Sequence, residues 1–125
     1  IDGDNDLDIL IKNEPVIIWE NQGNLTFAQH VVDNVTDAKG VGFHKLDGSS
    51  DMTYEVIVNQ YNQSSPTNIL VYTMNNLDSW TKTVLYNRNF AGDDIFFDDL
   101  NANGSADIIS TWDGSSTGEV YSLIH

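Results

Sequence analysis

The stretch IDGDNDLDILI, residues 1–11, places an Asp at every second position, Asp2, Asp4, Asp6 and Asp8, and then passes into a short apolar run. Its second half, DLDILI at 6–11, has two counterparts further along the chain, YEVIVN at 54–59 and SADIISTW at 105–112. Each is short, β-branched and strand-like. A second series follows the first at each place: PVIIWE at 15–20, NILVYT at 68–73 and GEVYSL at 118–123. With Asp8, Glu55 and Asp107 aligned, the first series is spaced by 47 and 52 residues. With Pro15, Asn68 and Gly118 aligned, the second is spaced by 53 and 50. Two series that keep nearly one period mark an internal repeat.

Other segments complete the repeating unit. VGFHKLD at 41–47 and DIFFDDL at 94–100 each lead into a polar, Gly-containing turn, while LTFAQHVV at 25–32 and WTKTVLY at 80–86 read as a further strand with partial alternation. The unit therefore has four strands. The chain holds the last three strands of one unit, a complete second unit and the first three strands of a third. No stretch offers a ten-residue helical face, and the expected fold class is all-β. Four short antiparallel strands repeating at about 40 to 50 residues is the pattern of propeller blades. The expectation is a β-propeller segment of about two and a half four-stranded blades covering residues 1–125, with blade pieces near 1–38, 39–90 and 91–125. A ring of roughly 4 to 8 blades needs more than this, so the remaining blades would come from the same or another chain. A β-sandwich of about ten strands is the alternative architecture.

Composition narrows the partners. The chain has 125 residues, no Cys, and 19 acidic against 5 basic side chains, for a formal charge of -14. Such a chain repels phosphate backbones and anionic membranes, which argues against nucleic acid as a partner. The missing cysteines remove disulfides, zinc–thiolate sites and Cys nucleophiles together. No apolar run approaches the roughly 20 residues of a membrane helix, so no membrane insertion is expected. The start at Ile1, inside an acidic loop, points to processing or to a segment of something larger.

Nine of the 19 acidic residues fall in two clusters, the four at the start and Asp93, Asp94, Asp98, Asp99 and Asp107. A bound hard cation is an economical offset for carboxylates packed this densely, and calcium takes about six to eight oxygen ligands. Asp99, Asn101, Asn103 and Asp107 occupy positions 1, 3, 5 and 9 of DLNANGSAD, with Gly104 at the turn and Ser105 offering its carbonyl at position 7. This resembles half of an EF-hand loop, but position 12 is Ser110 instead of Glu and the flanks are strands. In the first loop Asp2, Asp4 and Asp8 hold positions 3, 5 and 9, Asp6 offers its carbonyl at 7, and Asn5 replaces the turn glycine. Its first ligand would be an acidic residue just upstream. In the middle loop, KLDGSSDMTYE at 45–55, Lys45 stands at position 1 and two extra residues precede Glu55. No metal is expected there, and the Lys45 ammonium can take its place. One or two structural Ca2+ ions are thus expected, two of which would bring the formal charge from -14 to -10. The competing reading is Asp- and Asn-rich turn chemistry in which side chains cap neighbouring amides.

The series DGDNDLDILI, VIIWENQGNLTFAQHVV and DLNANGSADIIS resembles the FG-GAP/VCBS repeats of integrin-like β-propellers. The likeness covers nearly the whole chain, with Lys45 and the stretched middle loop departing from it. The resemblance implies a calcium loop between the first and second strands of a blade, an extracellular or cell-surface location, and in many members seven blades. It also implies roles in adhesion, sugar binding or service beside polysaccharide-degrading enzymes.

The function expected is therefore a calcium-stabilised binding or adhesion scaffold for a protein or glycan. A lectin, or an accessory propeller of a secreted polysaccharide-active enzyme, is the alternative. Ligand contacts would come from the hairpins that carry Tyr61, Trp80 and Trp112, with Asp113 beside Trp112 able to accept sugar hydroxyls. Catalysis is not expected. His30, His44 and His125 are scattered, and no nucleophile or phosphate-binding motif appears. Asn24, Asn34, Asn62 and Asn103 open glycosylation tripeptides, of which Asn103 is read as metal chemistry instead.

Overall fold

The computed structural model describes residues 1–46, 54–61, 67–88, 94–112 and 119–123, apart from the side chains of 67, 86–88, 112 and 119–123. These residues form ten strands in three antiparallel sheets. Sheet one contains β1 (Ile9–Ile11), β2 (Val16–Asn21) and β3 (Phe27–Asp33). Sheet two contains β4 (Ala38–His44), β5 (Glu55–Gln60), β6 (Thr67–Asn76) and β7 (Ser79–Arg88). Sheet three contains β8 (Asp94–Asp98), β9 (Asp107–Trp112) and β10 (Glu119–Leu123). Neighbours in each sheet are neighbours in sequence, and the described residues have the expected all-β class, with three, four and three strands in the three sheets.

Some boundaries differ from the sequence reading. β1 is only three residues long, because Asp8 is drawn into the acidic loop instead of pairing. β4 starts at Ala38, three residues before the VGFHKLD run, and reaches β5 through a bulge between Ala38 and Gly40. The strand register also corrects one alignment. Trp19 pairs with Ile9, Tyr72 with Val56 and Leu123 with Ile108, so the second series is spaced by 53 and 51 residues and GEVYSL shifts by one. The hairpin length had hidden that offset.

Within sheet two β5 is buried on both faces, which explains why YEVIVN lacks the polar alternation of a half-exposed strand. Val56, Val58, Leu70 and Tyr72 turn toward sheet one and meet Val16, Ile18 and Val32. Ile57, Ile69 and Val71 turn the other way and meet Ile95 and Ile108 of sheet three. Each fully buried aliphatic side chain contributes about 1.5 to 3 kcal/mol, so these two layers dominate the stability. The sheets therefore stack face to face in chain order.

Two glycines set the closeness of sheet three. A Cβ on Gly40 would lie 3.0 Å from the Ile95 amide nitrogen, and one on Gly42 would run into the Phe97 ring. Without side chains at these alternate positions, β4 lets β8 come in against its backbone. Polar ties cross the same layers. Tyr72 donates its hydroxyl proton to Asp33 Oδ2 at 2.8 Å, and Lys82 donates to the same oxygen at 2.8 Å. Asn59, 1% exposed, donates to Ser110 Oγ at 2.9 Å and so joins sheets two and three.

Candidate functional site

The acidic loop before β1 and the loop between β8 and β9 share one local construction. In the first, the Asp4 amide donates to Asp2 Oδ1 at 3.2 Å and the Asp6 amide to Asp4 Oδ1 at 3.0 Å. In the other, the Asn103 amide donates to Asn101 Oδ1 at 2.9 Å and the Ser105 amide to Asn103 Oδ1 at 2.8 Å. Left-handed backbone falls at matched places, Gly3 (φ 89°) with Ala102 (φ 57°) and Asn5 (φ 72°) with Gly104 (φ 88°). Asn5 thus takes the conformation expected of it as a glycine substitute. In both loops the side chains at positions 3 and 5 accept the amide two residues on, as Asx residues do.

The carboxylate that ends each loop has a more general role. Asp107, fully buried, accepts the Leu100 amide at 2.9 Å. Asp8 accepts the charged amine of Ile1, which stands where Leu100 stands in the later loop, and also takes the Asn21 amide at 2.9 Å. In the middle loop Glu55 accepts the Leu46 amide at 2.9 Å, at the corresponding position. The closing carboxylate of each repeat therefore takes the main-chain nitrogen at one loop position, an amide at Leu46 and Leu100 and the charged amine at Ile1. Glu supplies the reach where the intervening loop is two residues longer. That a loop headed by Lys45 keeps the bond means that the closing carboxylate serves the strand turn whether or not a cation is bound.

The donors available to a cation are hard oxygens, which is the chemistry calcium takes. Their aim is local: both oxygens of Asp99 accept amides, from Asn103 at 3.0 Å and Gly104 at 2.8 Å. Among the described residues, no three His, Asp or Glu side chains converge as a metal-holding group. In the first loop, Asp6 Oδ1 is buried without a hydrogen-bond partner. The Asp6 carboxyl is held above the ordinary carboxylate range, first by loss of solvent and then by the charges and hydrogen bonding of Asp4 and the charges of Asp8 and Asp2. A buried, orphaned oxygen amid like charges is where a cation or a proton relieves most.

Lys45 borders the first acidic loop as well as its own. It lines a small cavity of about 120 Å³ together with Ile1, Gly3, Asn5 and Asp6 of the first loop, and its ammonium lies 5.5 Å above the Tyr54 ring. The middle loop thus lends its one cation to the edge of the first acidic cluster. Nothing in the sequence signals this, since the residues are brought together only by stacking of the sheets.

The aromatic candidates separate. Trp80 packs against the core between sheets one and two and donates its indole N–H to the Leu77 carbonyl at 3.0 Å. Tyr61 is half-buried, with the Lys39 ammonium 5.7 Å over its ring. The Trp112 side chain and Asp113 lie outside the described residues. His30 is a cross-sheet tie: Nδ1 meets Asp78 Oδ1 at 2.8 Å and Nε2 meets Glu20 Oε2 at 3.1 Å. His44 packs its ring 5.5 Å from that of Phe97. Set against family models, curated proteins and solved structures, the chain finds no match among any of the three.

Proposed function

We propose that this chain is a calcium-stabilised run of extracellular β-propeller blades, used as a binding or adhesion scaffold for a protein or carbohydrate. The observation that supports this reading is the match between the first and last acidic loops. Turn chemistry alone accounts for any one Asx bond, but it does not call for the same alternate-position set of oxygens and the same two left-handed residues twice. The face-to-face stack of sheets in chain order supports the blade reading in the same way.

In this reading the side chains of Asp99, Asn101, Asn103 and Asp107, with the Ser105 carbonyl, hold one ion. Asp2, Asp4 and Asp8, with the Asp6 carbonyl, hold a second. The ion supplies charge neutralisation and no reaction chemistry. Partner recognition then falls to the hairpins, which carry Tyr61, Trp112 and Asp113. The test is thermal melting of metal-depleted protein with and without millimolar calcium. A ligand at about 100 times its Kd stabilises by about 2.7 kcal/mol. An unchanged melt rejects the metal, and a glycan array beside a protein-binding screen separates the two kinds of partner.

A further inference from the structure

Sheet one presents an apolar face that no described residue covers. Register puts Ile9 beside Trp19, Ile11 beside Ile17, Ile17 beside Val31 and Asn21 beside Phe27 on that face. Ile9 is 49%, Phe27 41% and Val31 42% exposed. Contiguous apolar surface of this kind marks an interaction site.

The molecule contains two equivalents of this face, and both are covered. Val56 and Tyr72 stand where Ile9 and Trp19 stand, and they pack on Val16, Ile18 and Val32 of sheet one. Ile108 stands at the same place in sheet three and packs on Ile57, Ile69 and Val71 of sheet two. In each case the cover is the opposite face of the preceding antiparallel sheet, built from β-branched and aliphatic side chains. That opposite face turns outward on sheet three, where Phe96, paired with Ile109, is 54% exposed.

We propose that the outer face of sheet one docks the outer face of sheet three of a second copy of this chain, head to tail. The inference rests on reading the sheets as a run of blades and names the partner that such a run takes. Head-to-tail packing repeats an interface the molecule makes twice, whereas pairing two copies through sheet one alone would join faces of one kind, for which it offers no precedent. Trp19 and Gln29 occupy the register positions of Tyr72 and Lys82, so the new contact meets neutral hydrogen-bonding groups instead of an ammonium. Three sheets from each of two copies make six, within the range of about 4 to 8 blades that closes a ring. Heterologous contacts of this type otherwise run on into open assemblies.

The experiment is sedimentation velocity over a concentration series in about 0.15 M salt, where a Debye length of about 8 Å screens the repulsion of two acidic chains. Wild-type protein is expected to gain a species of two or more chains as concentration rises. Val31→Lys and Phe96→Lys, at exposed positions on the two faces, are each expected to sediment as one chain with unchanged circular dichroism. Their equimolar mixture is expected to regain a two-chain species, because each supplies the face the other lacks. Wild type that remains one chain, Phe96→Lys that still associates, or a mixture that stays dissociated overturns the proposal. Calcium melts of the monomeric variants read the metal separately, so failure of one does not imply failure of the other.

Discussion

Leu46 and Glu55 face each other across the longest of the three loops, with the amide of one donating to the carboxylate of the other at 2.9 Å. The bond is buried, and removing the acceptor strands an N–H away from water. Glu55→Ala is expected to cost about 1 to 3 kcal/mol, and Glu55→Gln less, because the amide oxygen still accepts. Urea unfolding in the presence of a chelator measures both. Equal losses for the two variants would mean that charge, and not the hydrogen bond, matters at this position.

Asp107 holds the equivalent bond in a loop that also has the oxygen set for calcium. Asp107→Asn keeps an acceptor for the Leu100 amide while lowering the charge that a cation needs. Metal-free stability is therefore expected to change by less than about 1 kcal/mol, with the calcium-induced rise in melting temperature reduced. Glu55→Gln is the control, and its calcium response is expected to stay at the wild-type level. A variant that melts with the full wild-type calcium shift would remove Asp107 from the ligand set.

These two carboxylates also define what the sequence made legible. The apolar runs beginning at Ile9, Val56 and Ile108 carry the strand period on their own, because β-branched residues buried on one or both faces leave a pattern that survives loop variation. Glu55 aligned with Asp8 and Asp107 although its loop is longer, and the shared bond to the main-chain nitrogen at the loop start is the reason. Contacts between sheets left no such trace. Lys45 reaching Asp6's cavity, and His30 reaching Asp78, depend on the stacking of distant segments, and a single sequence carries no periodic signal for that. The bulge at Ala38 and Gly40 was similarly invisible, since glycine there reads as a breaker until the approach of Ile95 explains it.

His30 ties β3 to the turn between β6 and β7 through Asp78, and to β2 through Glu20. The hydrogen bond to Asp78 comes first in raising its pKa; burial opposes this, and the bond to Glu20 and both carboxylate charges add to the rise. Because the folded value lies above the ordinary 6.5, the tie stabilises fully below that pH and is lost as pH rises through the folded value. Asp78 is largely exposed, so a contribution of about 1 kcal/mol or less is expected. Comparing wild type with His30→Gln by denaturant unfolding at pH 5.5 and 8.5 should show a difference that shrinks at the higher pH. A difference independent of pH would assign His30 a packing role alone.

Asp33 gives the opposite dependence. Burial pushes its carboxyl up, but the hydrogen bond and charge of Lys82, the Tyr72 hydroxyl and the Asn34 amide together hold it below the ordinary carboxylate range. A depressed folded value means that the contribution is present above about 3.8 and is lost as pH falls through the folded pKa. Asp33→Asn is expected to destabilise at neutral pH and to approach wild type under acid, with the Lys82 share small because that ammonium is half-exposed. Acid titration of the two proteins, followed by near-ultraviolet signal from Tyr72 and Trp80, checks this. Parallel acid curves would exclude Asp33 as the titrating group.

Gly40 and Gly42 test the stacking itself. At Gly40 the atoms in the way are backbone, the Ile95 nitrogen at 3.0 Å and the Asp94 carbonyl carbon at 3.2 Å, so a methyl group can enter only by moving β8. At Gly42 the obstacle is the Phe97 ring, which is partly exposed and able to rotate away. Gly40→Ala is therefore expected to cost about 1 to 3 kcal/mol, and Gly42→Ala less, although its methyl meets the nearer atom. Phe97→Leu should restore part of the loss from Gly42→Ala and none of that from Gly40→Ala, in a double-mutant cycle read by thermal unfolding. Equal rescue of both would mean that the two sheets shift as rigid layers. The distinction between a yielding ring and an unyielding backbone would then have no energetic consequence.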